Sequence, residues 1–172
     1  HRHYRRQRQM CIRDSNIDNG PVETFILTPQ GKIKHQVTIT DKGDSFNILC
    51  TNDQGDLFKF LNMYAMLKRI VVEKVNVQNV YDKKYFLRLL EKGKLDTNFL
   101  TQPSLYPAEV DDSLVDYNKG CYIGQEVVAR MHYKQKNKKQ ILIRNKADTM
   151  YSTAKVLLEI ENWIIVKVPV NV

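Results

Sequence analysis

The sequence predicts an α+β fold in which an antiparallel sheet packs against helices. Three observations carry this. Runs of β-formers at 22–28 and 32–40 flank the turn chemistry of Pro29-Gln30-Gly31, which reads as a hairpin. Apolar residues recur at helical spacing over 57–67 and 82–92, and 125–133 holds helix formers with no breaker. Three more β-rich runs close the chain.

The elements follow in order. In 32–40, Ile33, His35, Val37 and Ile39 alternate and are expected on one face. Asp41-Lys42-Gly43-Asp44 is a second turn, and 45–51 a third strand. Asn52 or Asp53 is a candidate cap for the next helix, in which Leu57, Phe60, Leu61, Tyr64 and Leu67 share a face. Residues 69–77 read as a strand, with Ile70, Val72 and Val75 apolar. Residues 82–92 read as a helix with Phe86, Leu89 and Leu90 inward and Gly93 as its stop. Residues 94–118 show no period and contain Pro103 and Pro107. An irregular stretch of that length tends to be functional or disordered, and this one leads straight into Cys121. After 125–133 come a basic linker, 134–139, and strands at 140–144, 154–160 and 163–168.

A chain of 172 residues can bury a real core. With 42% hydrophobic and 27% charged residues it has an ordinary folded composition. No apolar run approaches the roughly 20 residues that cross a bilayer, and no signal peptide is legible. Three cysteines, Cys11, Cys50 and Cys121, are widely spaced and odd in number. They offer no disulfide framework and fit a reducing compartment. Without a Cys-x-x-Cys, the chain alone lacks the usual ligand set for zinc or a cluster. The net charge of +8 invites a nucleic-acid reading. Residues 1–15, however, hold five arginines and one aspartate, and the rest has 22 basic against 18 acidic residues. Half of the excess thus sits in a segment without apolar periodicity. We read 1–15 as non-native, ahead of a basic arm or a transit peptide, and leave it out of the fold.

The most informative stretch is Lys119-Gly120-Cys121-Tyr122-Ile123-Gly124-Gln125-Glu126. It sets one cysteine between two glycines, beside a lysine and ahead of a helix start. Positive charge and the helix dipole both stabilise a thiolate. The plain alternative is a small buried filler, since free cysteine is often buried.

That stretch, with Ala129-Arg130 and Tyr133-Lys134 after it, resembles the signature of the YgfZ family, folate-binding relatives of the glycine-cleavage T-protein. Leu27-Thr28-Pro29-Gln30-Gly31-Lys32 resembles the hairpin of the family's first domain, and Asp116-Tyr117-Asn118 its usual lead-in. The resemblance covers most of 22–145. It implies a folate-binding domain over 16–135 and part of a C-terminal β-barrel over 136–172, with both ends of the family's chain missing. It also implies a factor for iron–sulfur cluster assembly or repair, and through that for tRNA thio-modification, rather than a classical enzyme. Cys121 would transiently hold a cluster or sulfur. Tetrahydrofolate would be the cofactor, and assembly proteins or cluster-dependent client enzymes the partners. The compartment would be the cytoplasm of a bacterium, or the mitochondrial matrix of a eukaryote. Folate contacts cannot be mapped onto this chain.

The remaining candidates are weighed against plainer roles. Lys119 serves the thiol or an anion, or is solvated. Tyr122 stacks on a ligand or gates the thiol, or packs under the loop. Gln125 and Glu126 are expected to satisfy free N–H groups at the helix start, as in a capping box. Arg130 is expected to pair with Glu126 across one turn. His35 and His132, lacking a second ligand nearby, read as packed or solvated. Tyr133, Lys134, Lys136, Lys138 and Lys139 read as a solvated linker rather than an RNA contact. Gly31 reads as a turn glycine. Two further classes stand beside the maturation factor: a folate-dependent aminomethyltransferase, against which the Cys121 signature argues, and an RNA-binding module resting on net charge alone.

Overall fold

A computed structural model describes residues 20–51, 56–66, 70–75, 82–100, 104–118, 121–134, 139–147 and 154–170. The described elements are mixed α and β. Strands β1 (Val22–Leu27), β2 (Ile33–Asp41) and β3 (Phe46–Leu49) come first. Helices α1 (Asp56–Met66), α2 (Lys83–Glu91), α3 (Pro107–Val110) and α4 (Gln125–Tyr133) follow, with single 3-10 turns at Thr97–Phe99 and Asp112–Leu114. Strands β4 (Lys139–Asn145), β5 (Lys155–Ile160) and β6 (Trp163–Pro169) end the chain. Two three-stranded antiparallel sheets result, ordered β1-β2-β3 and β4-β6-β5. No helix among the described residues is long and apolar enough to cross a membrane.

The first sheet is covered on both faces, and β1 shows it. Thr24, Phe25, Ile26 and Leu27 are all buried, which requires a neighbour on each side of the pleat. Ile26 joins Val37, Ile39 and Leu57 of α1 in one cluster. Phe25, Leu27 and Ile33 join Phe86, Leu90, Leu100, Leu105, Val115, Tyr122, Val128 and Ile165 in another. The second sheet shares this larger cluster through Ile165, with Ile141, Ile143, Leu158 and Trp163 against it. Phe86 of α2 stacks on Phe99, ring centroids 4.5 Å apart. Burying an aromatic ring of that kind is worth about 2–3 kcal/mol.

The structure corrects the one-face reading of β2. Pairing runs from Val22↔Ile39 to Ile26↔His35, then shifts to Leu27↔Ile33. The extra residue of this β-bulge turns Ile33 over. It faces the larger cluster, whereas Val37 and Ile39 face α1. Sequence alternation cannot show a bulge, because one inserted residue inverts the pattern only beyond itself.

The strand expected at 69–77 is not formed in its described part. Residues 70–75 join no ladder, and Val71 and Val75 are 82% and 77% exposed. The Ile70 N–H returns to the Ala65 carbonyl at the end of α1, 3.1 Å away. β-branched composition favours a strand only where a neighbour completes it.

The described parts of 94–118 are also more ordered than the lack of period suggested. Asp96 accepts from the Asn98 N–H (3.0 Å) and Asp111 from the Ser113 N–H (3.0 Å), each opening a 3-10 turn. α3 starts at Pro107, where proline is well suited to a first helical turn, and Glu109 accepts from the Tyr106 N–H at 3.0 Å. Single turns are too short to display a period. This segment is laced to the first sheet by Ile33 N–H to Leu105 O (2.8 Å) and Thr24 Oγ1 to Leu114 O (3.2 Å). A buried pair ties it to the second sheet: Lys167 Nζ of β6 lies 2.7 Å from the Glu109 carboxylate.

Other expectations meet the structure closely. α2 starts after Asp82, which accepts from the Tyr85 N–H, and buries Phe86 and Leu90. The Gly93 N–H returns to Leu90 O. In α1, Leu57 is buried and Phe60 and Leu61 pack beside it, while Asn52, Asp53 and Leu67 lie outside the described residues.

Candidate functional site

The site is built where the β1–β2 turn meets the start of α4. The turn is closed by Gly31 N–H to Thr28 O (2.8 Å), by Thr28 N–H to Lys32 O (2.8 Å), and by Lys32 N–H to Thr28 Oγ1 (3.2 Å). Gly31 sits at φ +75 and Gly124 at φ +80, a region that L side chains rarely enter. The two are pressed together. A Cβ on Gly124 would fall 2.5 Å from Thr28 O and 2.8 Å from the Gly31 Cα. A Cβ on Gly31 would fall 3.0 Å from Val127 Cβ and from Val128 Cγ2. Two separate sequence motifs thus form one contact through glycines that leave no room for a side chain.

Gly124 is the N-cap of α4. Its carbonyl accepts from the Val128 N–H at 3.2 Å. Just ahead, Tyr122 is 7% exposed and belongs to the larger core cluster, so its ring packs beneath the loop. The side chain of Gln125 accepts from the Tyr122 N–H (3.3 Å), and the Gln125 N–H returns to Tyr122 O (3.3 Å). Cys121, next to that buried ring, is exposed. The alternation places the sulfur outside while Tyr122 anchors the backbone. Cys50 is half-buried near the α1 cluster, and neither thiol is in a disulfide. Lys119, Gly120 and Cys11 lie outside the described residues.

The capping-box expectation fails for Glu126. No side chain caps α4, and Glu126 instead holds Arg130 at 2.8 Å. The physical reason is the cap itself: glycine has no side chain to complete the reciprocal box. Arg130 meets its expectation. Gln125 does bond backbone at the helix start, but to a residue outside the helix.

His132 is neither isolated nor merely solvated. Its Nδ1 lies 2.6 Å from Asp112 Oδ2. Its ring stacks on Tyr117 with centroids 3.8 Å apart, and Tyr133 meets both rings edge-on. The Tyr117 hydroxyl donates to the other Asp112 oxygen. Asp112 escapes sequence reasoning because it lies twenty residues from His132 with no periodic relation. His35 is buried on β2. Tyr133 and Lys134 are exposed, Lys139 begins β4, and Lys136 and Lys138 lie outside the described residues.

Sequence reasoning also missed a buried polar set beside the first sheet. Beyond the end of β3, the Asn98 side chain accepts from the Gln36 N–H (3.1 Å) and donates to Gln36 O (2.7 Å). The Gln36 side chain accepts from Thr97 N–H and Oγ1 (2.8 and 3.0 Å) and donates to Glu23 (2.6 Å). Thr51 donates to Asp96 and accepts from Asn98. Burial pushes the Asp96 carboxyl above its ordinary value, and nearby Glu23 adds to this, against the hydrogen bonds from Thr51 and Asn98. No metal-holding group of three or more His, Cys, Asp and Glu side chains occurs among the described residues.

No family model matches this chain, and a search of curated proteins finds no match.

Proposed function

We propose that this is a YgfZ-like, folate-binding protein that assists iron–sulfur cluster assembly or repair, and so supports tRNA thio-modification, through Cys121. One observation carries the reading furthest: an exposed thiol stands on the turn that leads through Tyr122 and Ile123 to the Gly124 cap of α4, on a backbone anchored by Tyr122 and by the Gly31–Gly124 contact. An exposed cysteine on a fixed backbone suits transient transfer of sulfur or a cluster better than packing. One thiolate cannot complete a cluster site. The cluster is therefore cargo, with its other ligands coming from an assembly protein, a client enzyme or a small thiol.

Tetrahydrofolate binding belongs to this proposal on the sequence resemblance alone. The buried polar groups of Gln36, Thr97 and Asp96 and the half-buried Asn98 bond one another. As they stand they do not present a pterin site, so no residue is assigned to folate and no step runs through it.

The test is complementation in bacteria lacking their own YgfZ, with the activity of a cluster-dependent tRNA-thiolating enzyme as readout. The chain with Cys121 should rescue, and Cys121→Ser should not. Equal rescue by both would remove the thiol from the mechanism. Rescue by neither, with folded protein present, would overturn the maturation role.

A further inference from the structure

Helix α2 is held by its apolar side and carries its charge on the other. Phe86 and Leu90 are buried, and the stack of Phe86 on Phe99 fixes which way the helix faces. Lys84, Arg88 and Lys92 stand four residues apart and are exposed. That spacing sets them in one row, about 6 Å from one to the next along the helix axis and about 12 Å in all. Past the end of the helix, the Lys94 N–H returns to Leu89 O (2.9 Å), which keeps a further exposed cation at the same end.

The row is electrostatically uncompensated. Like charges four residues apart on a helix repel. Lys84 lies in the first turn, where the helix dipole disfavours a cation, and that turn holds no acidic residue. The dipole accounts for cations in the last turn but not for Lys84. Several exposed cations are met within the chain: Lys34 by Asp56, Lys83 by Glu161, Arg130 by Glu126 and Lys146 by Glu159. Lys84, Arg88, Lys92 and Lys94 enter no ion pair among the described residues, and Glu91 on the same helix pairs with none of them.

We infer that the exposed row of α2 is a docking face for an acidic segment of another protein, a helix that presents carboxylates four residues apart. The matching repeat brings each carboxylate opposite a cation and relieves the repulsion along the row. A protein segment suits the row better than RNA. The row offers no exposed aromatic ring on which a base could stack, since Tyr85 is half-buried. Complementary charge of this kind steers encounter and sets register more than it adds affinity, so the contact is expected to be weak and sensitive to salt. This face is independent of how Cys121 acts.

The experiment uses the full chain and a fluorescent alanine-rich helical peptide with a glutamate at every fourth residue, followed by anisotropy at low salt. A peptide of the same composition with its glutamates at every second residue tests the repeat, and an RNA hairpin tests the rival partner. The row variant carries Lys84→Gln, Arg88→Gln and Lys92→Gln, which keep good helix formers. A variant of equal charge carries Lys42→Gln, Lys59→Gln and Lys155→Gln, three exposed lysines away from α2. The wild type should bind the first peptide more tightly than the second. The row variant should lose at least severalfold in affinity, and the equal-charge variant little. Urea unfolding checks that the row variant folds, and Lys84→Gln with Arg88→Gln alone carries the same test if it does not. Equal losses in the two variants would reduce the effect to net charge and overturn the docking face. So would equal binding of the two peptides, no binding by the wild type, or tighter binding of the RNA hairpin that depends on the row.

Discussion

Replacing Gly124 by alanine should cost far more than the methyl group's size implies. Two effects add. At φ +80 an L residue occupies the left-handed region, at about 1–2 kcal/mol. The new Cβ also meets backbone atoms, 2.5 Å from Thr28 O and 3.0 Å from the Gly31 N. Backbone cannot swing aside as the end of a side chain can, so the turn and α4 must separate, at about 1–3 kcal/mol. The expected destabilisation is about 2–5 kcal/mol, read from the midpoint of urea unfolding with unchanged slope. Gly43→Ala is the control. Gly43 sits at φ +81 with nothing within 4 Å of its Cβ, so it should show only the conformational part, about 1–2 kcal/mol. The difference between the two variants isolates the contact. Equal losses at both positions would refute the argument that the turn and α4 interlock through glycine.

Two further predictions concern buried charge. The Asp96 carboxyl is raised above 3.8 in the fold by burial, so the folded chain binds that proton more tightly than the unfolded chain. Its ionisation costs stability as pH rises from the unfolded value through the folded one, and the cost is constant above that. Measured by urea unfolding at stepped pH, the wild type should therefore gain stability relative to Asp96→Asn as pH falls toward 3.8. A pH-independent difference would refute it. For the Glu109–Lys167 pair, 5% and 14% exposed, Lys167→Met leaves a buried carboxylate without its cation and should cost about 3–5 kcal/mol. The double variant Glu109→Gln with Lys167→Met should recover most of that loss in the same assay, and a double variant as unstable as the single one would refute the pairing argument.

Much of the fold was legible because local chemistry and long-range packing agree there. The break at Gly124 followed by uninterrupted helix formers fixes α4 at Gln125–Tyr133, and Asp82 and Gly93 bracket α2 in the same way. What stayed hidden depends on partners far along the chain. Asn98 and Gln36 are 62 residues apart, and neither residue type announces a ladder contact. The bulge that turns Ile33 over is set by pairing with Leu27, not by composition. At 70–75 the composition was read correctly as β-forming, but a strand also needs a neighbour. For the candidate site, sequence picked out Cys121, the turn at Gly31 and the Glu126–Arg130 pair. It could not show that Gly31 and Gly124 touch, or that Asp112 reaches His132.

The Asn98 amide has a consequence beyond the contacts it makes. β3 ends at Leu49, and past that point β2 would show a bare backbone donor and acceptor at Gln36. An open strand edge of this kind is a template on which other chains can align and grow into insoluble assemblies. Asn98 occupies both groups with a single side chain. One planar amide thus takes the place of a missing strand residue and closes the edge against recruitment of a stranger.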